Sequence, residues 1–210
     1  FWSRYLSEIV RRANAINDKE NVFVLNSRCM KAMDDGNLDE ALDLANRVVD
    51  IGGNLSKTWN IRGKIRNMKG DLKGAIEDFT RSIEINPRFA GAWINRGASR
   101  GSSGDLNGAI RDYTRAIEIN RKYALAWLNR GMSLMIKGNW EGAIRDFSQV
   151  IEINPKIKIA WINRGVARSR RGDLDGAIQD LSKAVELAPR AGNVPAIRKE
   201  IEKLRKQLAE

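Results

Sequence analysis

The sequence predicts an all-α chain, an α-solenoid of five helix-turn-helix repeats with a capping helix at each end. Three observations predict it. Trp59, Trp93, Trp127 and Trp161 recur at a period of 34 residues. Each is followed by Gly63, Gly97, Gly131 or Gly165, and then by Gly70, Gly104, Gly138 or Gly172. Beyond these, Ala75, Ala109, Ala143 and Ala177 precede Phe79, Tyr113, Phe147 and Leu181 by one helical turn. One helix pair cannot bury its apolar faces alone, whereas stacked pairs can, so a period of this length marks a repeat array.

The elements follow in order. Residues 1–21 carry an apolar stripe, Trp2, Leu6, Ile9, Ala13 and Ile16, that suits either a cap or the second helix of a preceding repeat. The repeats occupy 22–55, 56–89, 90–123, 124–157 and 158–191, the first being a weaker copy with Leu25, Cys29, Gly36 and Ala41. In each, the first helix is expected from about the tryptophan to the residue before the second glycine, which can take the left-handed conformation that ends a helix. Asn37, Asp71, Asp105, Asn139 and Asp173 come next and can cap the second helix. That helix is expected to end near Asn86, Asn120 or Asn154, with Pro87, Pro155 and Pro189 as stops. Residues 192–210 predict a terminal capping helix with the stripe Ile197, Ile201, Leu204 and Leu208.

Composition narrows function. The chain has 42% hydrophobic and 30% charged residues, no histidine and one cysteine. Histidine-based acid–base catalysis, Ser-His and Cys-His nucleophile pairs and histidine-bearing zinc sites are excluded. No intrachain disulfide can form, and no signal-peptide pattern follows Phe1, which slightly favours a cytoplasmic location. A net charge of +11 raises nucleic acid as a partner. The arginines are periodic, however. Arg62, Arg96, Arg130 and Arg164 precede Asp78, Asp112, Asp146 and Asp180 by 16 residues, where an antiparallel helix passes. Four intramolecular pairs are expected, so neither nucleic acid nor membrane is expected as a partner.

The alternation of tryptophan, small-residue turn, alanine, aromatic and proline resembles the tetratricopeptide repeat family over residues 22–191. Asn95-Arg96-Gly97, Asn129-Arg130-Gly131 and Asn163-Arg164-Gly165 resemble its bacterial-type repeats with Trp-x-Asn-Arg-Gly. The resemblance implies a right-handed solenoid, no catalysis, no cofactor and a protein or peptide partner. It further implies that the first helices line a concave groove holding a peptide segment or helix. Carried over position by position, the groove would be lined by Met30, Lys57, Asn60, Lys64, Met68, Ile94, Asn95, Leu128, Asn129, Met132, Met135, Ile162, Asn163 and Val166. Phe23, Met33, Leu125, Ile136 and Ile159 fall on the same face. Asn95, Asn129 and Asn163 resemble an asparagine ladder. A carboxamide both donates and accepts, so it suits a backbone whatever its side chains. All five methionines fall on this face, and adaptable binding surfaces favour that residue. An alternative occupant is a terminal helix of a second copy, which would make the chain a self-assembly module.

Overall fold

The helix punctuation sets the architecture. In the computed structural model, residues 22–51 and 55–209 are described; the stripe from Trp2 to Ile16 lies outside them. The described residues form helices and no strand: α1 (22–34), α2 (Leu38–Asp50), α3 (Ser56–Met68), α4 (Leu72–Ile85), α5 (Ala90–Ser102), α6 (Leu106–Ile119), α7 (Ala124–Ile136), α8 (Trp140–Ile153), α9 (Lys158–Arg171), α10 (Leu174–Leu187) and α11 (Val194–Ala209). Within the units, α1 packs with α2, α3 with α4, α7 with α8 and α9 with α10. The first helices of the last four repeats open three residues before the tryptophan rather than at it. An Asx turn brings this about where Asn86, Asn120 and Asn154 accept from the amides of Arg88, Lys122 and Lys156 at 3.0–3.1 Å. The chain therefore reverses at once and the next helix starts early. Each tryptophan then pins that turn: Trp93, Trp127 and Trp161 donate from Nε1 to the carbonyls of Pro87, Arg121 and Pro155 at 2.8–2.9 Å.

The turn inside each pair depends on glycine. Gly36, Gly70, Gly104, Gly138 and Gly172 have φ between 74° and 91°, a region that costs other residues energy. The residue after each of the last four caps the second helix. Asp71, Asp105, Asn139 and Asp173 accept from the amides of Gly74, Gly108, Gly142 and Gly176 at 2.8–3.0 Å. Asn37 departs from the expectation. It occupies the cap position without accepting an amide, and its Nδ2 donates to Glu40 at 2.8 Å. The reason lies three residues on. A β-carbon at Gly74, Gly108 or Gly176 would collide with the capping carboxylate, and the first repeat has Glu40 there.

The register of contacts shows that the paired helices are antiparallel. Ser56 meets Ser82, Arg62 meets Asp78 and Arg66 meets the Gly74 carbonyl, so advance along α3 is retreat along α4. Close approach requires a small residue. A β-carbon on Gly63 would stand 2.7 Å from the Phe79 ring, and one on Gly131 2.8 Å from Phe147. The first repeat reverses these sizes, with Cys29 at the glycine position facing Ala45 at the ring position, both buried. Two compact units result, Phe1–Ser99 and Arg100–Glu210, with the boundary inside α5. The first has a core around Leu25, Cys29, Leu44, Val48 and Ile65. In the second, Phe147 packs with Ala143 and Ala167, and α11 lays Ile197, Ile201 and Leu204 against Ala177 and Leu181 of α10. Leu208, expected in that stripe, is 49% exposed.

Candidate functional site

Three of the four expected Arg–Asp pairs are formed within the units as two-bond forks. Arg62 holds Asp78 at 2.9 and 2.7 Å, Arg130 holds Asp146 at 2.8 and 2.8 Å, and Arg164 holds Asp180 at 2.8 and 2.7 Å. The fourth, Arg96 with Asp112, joins residues of different units and remains an expectation. Each arginine does more than the spacing predicts. Nη1 of Arg96, Arg130 and Arg164 reaches the hydroxyl of Thr80, Thr114 and Ser148 on the preceding helix at 3.0 Å, and Arg62 reaches Asn46 at 3.3 Å. The guanidinium also lies over the tryptophan of its own helix, 4.6–5.0 Å from the ring centroid, within range of a cation–π attraction. Arg62, Arg130 and Arg164 thus each tie three helices together. Beside this framework, burial and then the Asp112 charge push the Tyr113 phenol up to about 12. Burial likewise raises the Cys29 thiol, which donates to the Ala41 carbonyl at 3.4 Å.

The groove residues divide by unit. In the first unit, Lys57, Lys64, Met30 and Met68 are exposed. Ile94 is 3% exposed and offers little surface. Asn95 is engaged, for its Nδ2 donates to Oδ1 of Asn60 at 2.9 Å. Lys64, Asn67, Met68, Phe79, Asn95 and Ala98 line a cleft of about 130 Å³. Ser99 donates to Asn67 Oδ1 at 3.2 Å, which leaves the Asn67 amino group for the cleft.

In the second unit, Leu125, Met132, Ile136 and Ile159 are exposed, Ile136 by 71%. Asn129, Asn163 and Val166 are half-buried. Among the described residues neither Asn129 nor Asn163 has a side-chain hydrogen-bond partner. Leu128 and Met135 pack against the Phe147 cluster, and Ile162 against the Leu181 cluster. Met33 likewise packs on the core of the first unit. Three methionines are therefore surface and two fill seams. The Asn60–Asn95 bond escaped the sequence reading, although its signal was present. The position after the tryptophan is Asn60 in the second repeat but Ile94, Leu128 and Ile162 in the others. No group of acidic and cysteine side chains able to hold a metal, and no helix long and apolar enough to cross a membrane, occurs among the described residues.

Antiparallel helix pairs in a 34-residue register, three of them fastened by a buried Arg–Asp fork, define a helical-repeat scaffold. Tetratricopeptide repeat models match residues 124–157 and residues 56–89, 90–123 and 159–190, together more than half of the chain. The chain belongs to the tetratricopeptide repeat family. The first copy, 22–55, lies outside the matched segments yet forms a helix pair of the same kind. Among solved structures, the chain is similar to MamA, with 26% identity over 76% of this chain and 94% of that one and a TM-score of 0.72. It shares the fold of YrrB, described as a tetratricopeptide repeat protein with an unusual peptide-binding site, at 19% identity, 89% and 97% coverage and a TM-score of 0.71. A tetratricopeptide repeat protein from Parabacteroides merdae has the fold too, at 19% identity, 90% and 75% coverage and a TM-score of 0.76. Comparison with curated proteins gave no match. Fold and neighbours are those of a protein-interaction scaffold.

Proposed function

We propose that the chain is a non-catalytic scaffold whose first-helix faces hold an extended peptide segment of a partner protein. The observation that carries this reading is the pairing of two unengaged carboxamides, Asn129 and Asn163, with exposed Leu125, Met132, Ile136 and Ile159. Among the described residues both carboxamides lack an intramolecular partner and are open to solvent, so a peptide backbone can take one donor and one acceptor from each. The apolar neighbours supply area that needs covering, and Met132 can adapt to different side chains. Asn95 contributes less, since Asn60 already takes one of its protons. In the first unit, Lys57, Lys64 and the Asn67 amino group favour an acidic side chain. The peptide-binding site described for YrrB supports the reading on a shared fold.

The test is a peptide-display selection on the wild-type protein, followed by affinity and melting measurements on Asn129→Ala/Asn163→Ala and on Met132→Asp. A hydrogen bond contributes about 0.5–1.5 kcal/mol net. Loss of two should weaken binding by roughly 5- to 150-fold with Tm little changed. A lowered Tm with undiminished affinity would assign the asparagines to the solenoid and end this reading.

A further inference from the structure

Two of the buried aspartates, Asp78 and Asp180, carry a second guanidinium beyond the first, and Asp112 receives an arginine from the same place in the period. Arg66 Nη1 reaches Asp78 at 3.1 Å and the Gly74 carbonyl at 3.3 Å. Arg168 Nη1 reaches Asp180 at 2.9 Å and the Gly176 carbonyl at 3.2 Å. Arg100 Nη1 reaches Asp112 at 2.8 Å. Each also lies 3.5–3.9 Å from its capping aspartate, Asp71, Asp105 or Asp173. In the fourth repeat this place in the 34-residue period belongs to Leu134, and the cap is the neutral Asn139. A cleft of about 210 Å³ opens there, lined among others by Leu134, Asn139, Gly142 and Asp146. The last three are the counterparts of the groups that receive the arginine in the sister repeats. The cleft shares no residue with the peptide-holding face, so the two readings stand separately.

We propose that this cleft, lined by α6, α7 and α8, is a binding site for a guanidinium group, from a partner's arginine side chain or a free alkylguanidine. Asp146 is held by Arg130 through two bonds, and a carboxylate offers about four acceptor positions. The sister rungs show that one more guanidinium N–H fits the same oxygen while touching the glycine carbonyl. In Arg66 and Arg168 Nη1 alone makes both contacts while Nε lies 3.9 and 3.5 Å from the capping aspartate, so the planar group presents two nitrogens to three acceptors, which an alkylammonium point charge does not. The neutral Asn139, with Arg145 at the rim and paired to Glu141 at 3.5 Å, makes the site weaker than a complete rung. Its affinity falls on the order of millimolar.

Melting the whole chain with agmatine, and with cadaverine as the ammonium control, tests this. Agmatine should raise Tm saturably, by roughly 2–4 °C, with cadaverine giving less. Leu134→Arg/Asn139→Asp rebuilds the rung and Leu134→Phe fills the space, so both should abolish the response. Arg168→Leu should open a second site and enlarge it. A short peptide with one arginine, against the same peptide with citrulline, separates the sources. Tighter binding of the arginine peptide than of agmatine assigns the site to a partner side chain, and the reverse order to the free molecule. An absent agmatine response in the wild type, or an equal one in the filled variants, overturns the proposal.

Discussion

At the residue scale, the cap and the glycine three positions later act as one unit. Asp105 accepts the Gly108 amide at 2.8 Å only because Gly108 has no β-carbon to meet the carboxylate. Two opposed effects follow from Gly108→Ala. Helix propensity gains about 1 kcal/mol, and the displaced cap costs about 0.5–2 kcal/mol. In the wild-type background the change should be neutral or destabilising, and in Asp105→Ala it should stabilise. Urea denaturation of the four proteins of that cycle measures the coupling, and plain additivity would refute it. The same logic explains why Asn37 fails to cap, which its residue type alone did not reveal. Tyr113 gives a second residue-level prediction. Its phenol is pushed up when folded, from the ordinary tyrosine value of 10.0 to about 12, by burial and then by Asp112. Stability from the neutral phenol is therefore complete below pH 10 and lost as pH rises through 12. Phe79 and Phe147 show that phenylalanine fits this position. Tyr113→Phe should then keep more stability than the wild type across pH 10–12, by about 2–3 kcal/mol at the upper end. Parallel loss in both proteins would show that this phenol does not drive the alkaline transition.

At the element scale, pairs of helices are fastened by buried forks, and the number of arginines differs between pairs. Asp180 receives Arg164 and Arg168, whereas Asp146 receives Arg130 alone. Replacing an aspartate by asparagine leaves buried cations without a counter-charge, which costs several kcal/mol. Asp180→Asn should therefore destabilise by about 2–4 kcal/mol and Asp146→Asn by less, since one guanidinium rather than two is stranded. Thermal melts of the two single variants would decide this, and a larger loss at Asp146 would contradict it. Much of this was legible in advance, because glycine turn, Asx cap and proline stop act within a few residues. The Arg–Asp spacing of 16 residues was legible too, since antiparallel helices joined by a fixed turn bring those positions together. The third tie, from each arginine to Thr80, Thr114 or Ser148, was not, because it depends on how the previous repeat stacks. The groove was legible as a face but not in its detail. Whether an asparagine is engaged depends on the neighbouring repeat, and Asn60 decides it for Asn95.

At the scale of the whole molecule, the question is what meets the exposed apolar face of the second unit. A second copy and a foreign peptide are both admissible on apolar area alone. Charge separates them. The chain carries +11, and the excess is spread through the last four repeats, so two copies approaching through these faces repel each other. Asn129 and Asn163 also interrupt the aliphatic surface with carboxamides that another helix's side chains would have to satisfy, whereas an extended backbone satisfies them directly. The expected behaviour is a mass independent of concentration over a tenfold range at low salt, where repulsion is least screened. Static light scattering on the wild type and on Met132→Asp measures it. If the wild type is oligomeric and Met132→Asp is monomeric, the face is an interface between copies and the peptide reading gives way to self-assembly. If both are monomeric and only the wild type retains the selected peptides, the face serves a foreign segment. Added salt should then weaken peptides that bear acidic residues near Lys57 and Lys64 more than peptides without them, because Coulomb attraction at exposed lysines is screened while apolar burial is not.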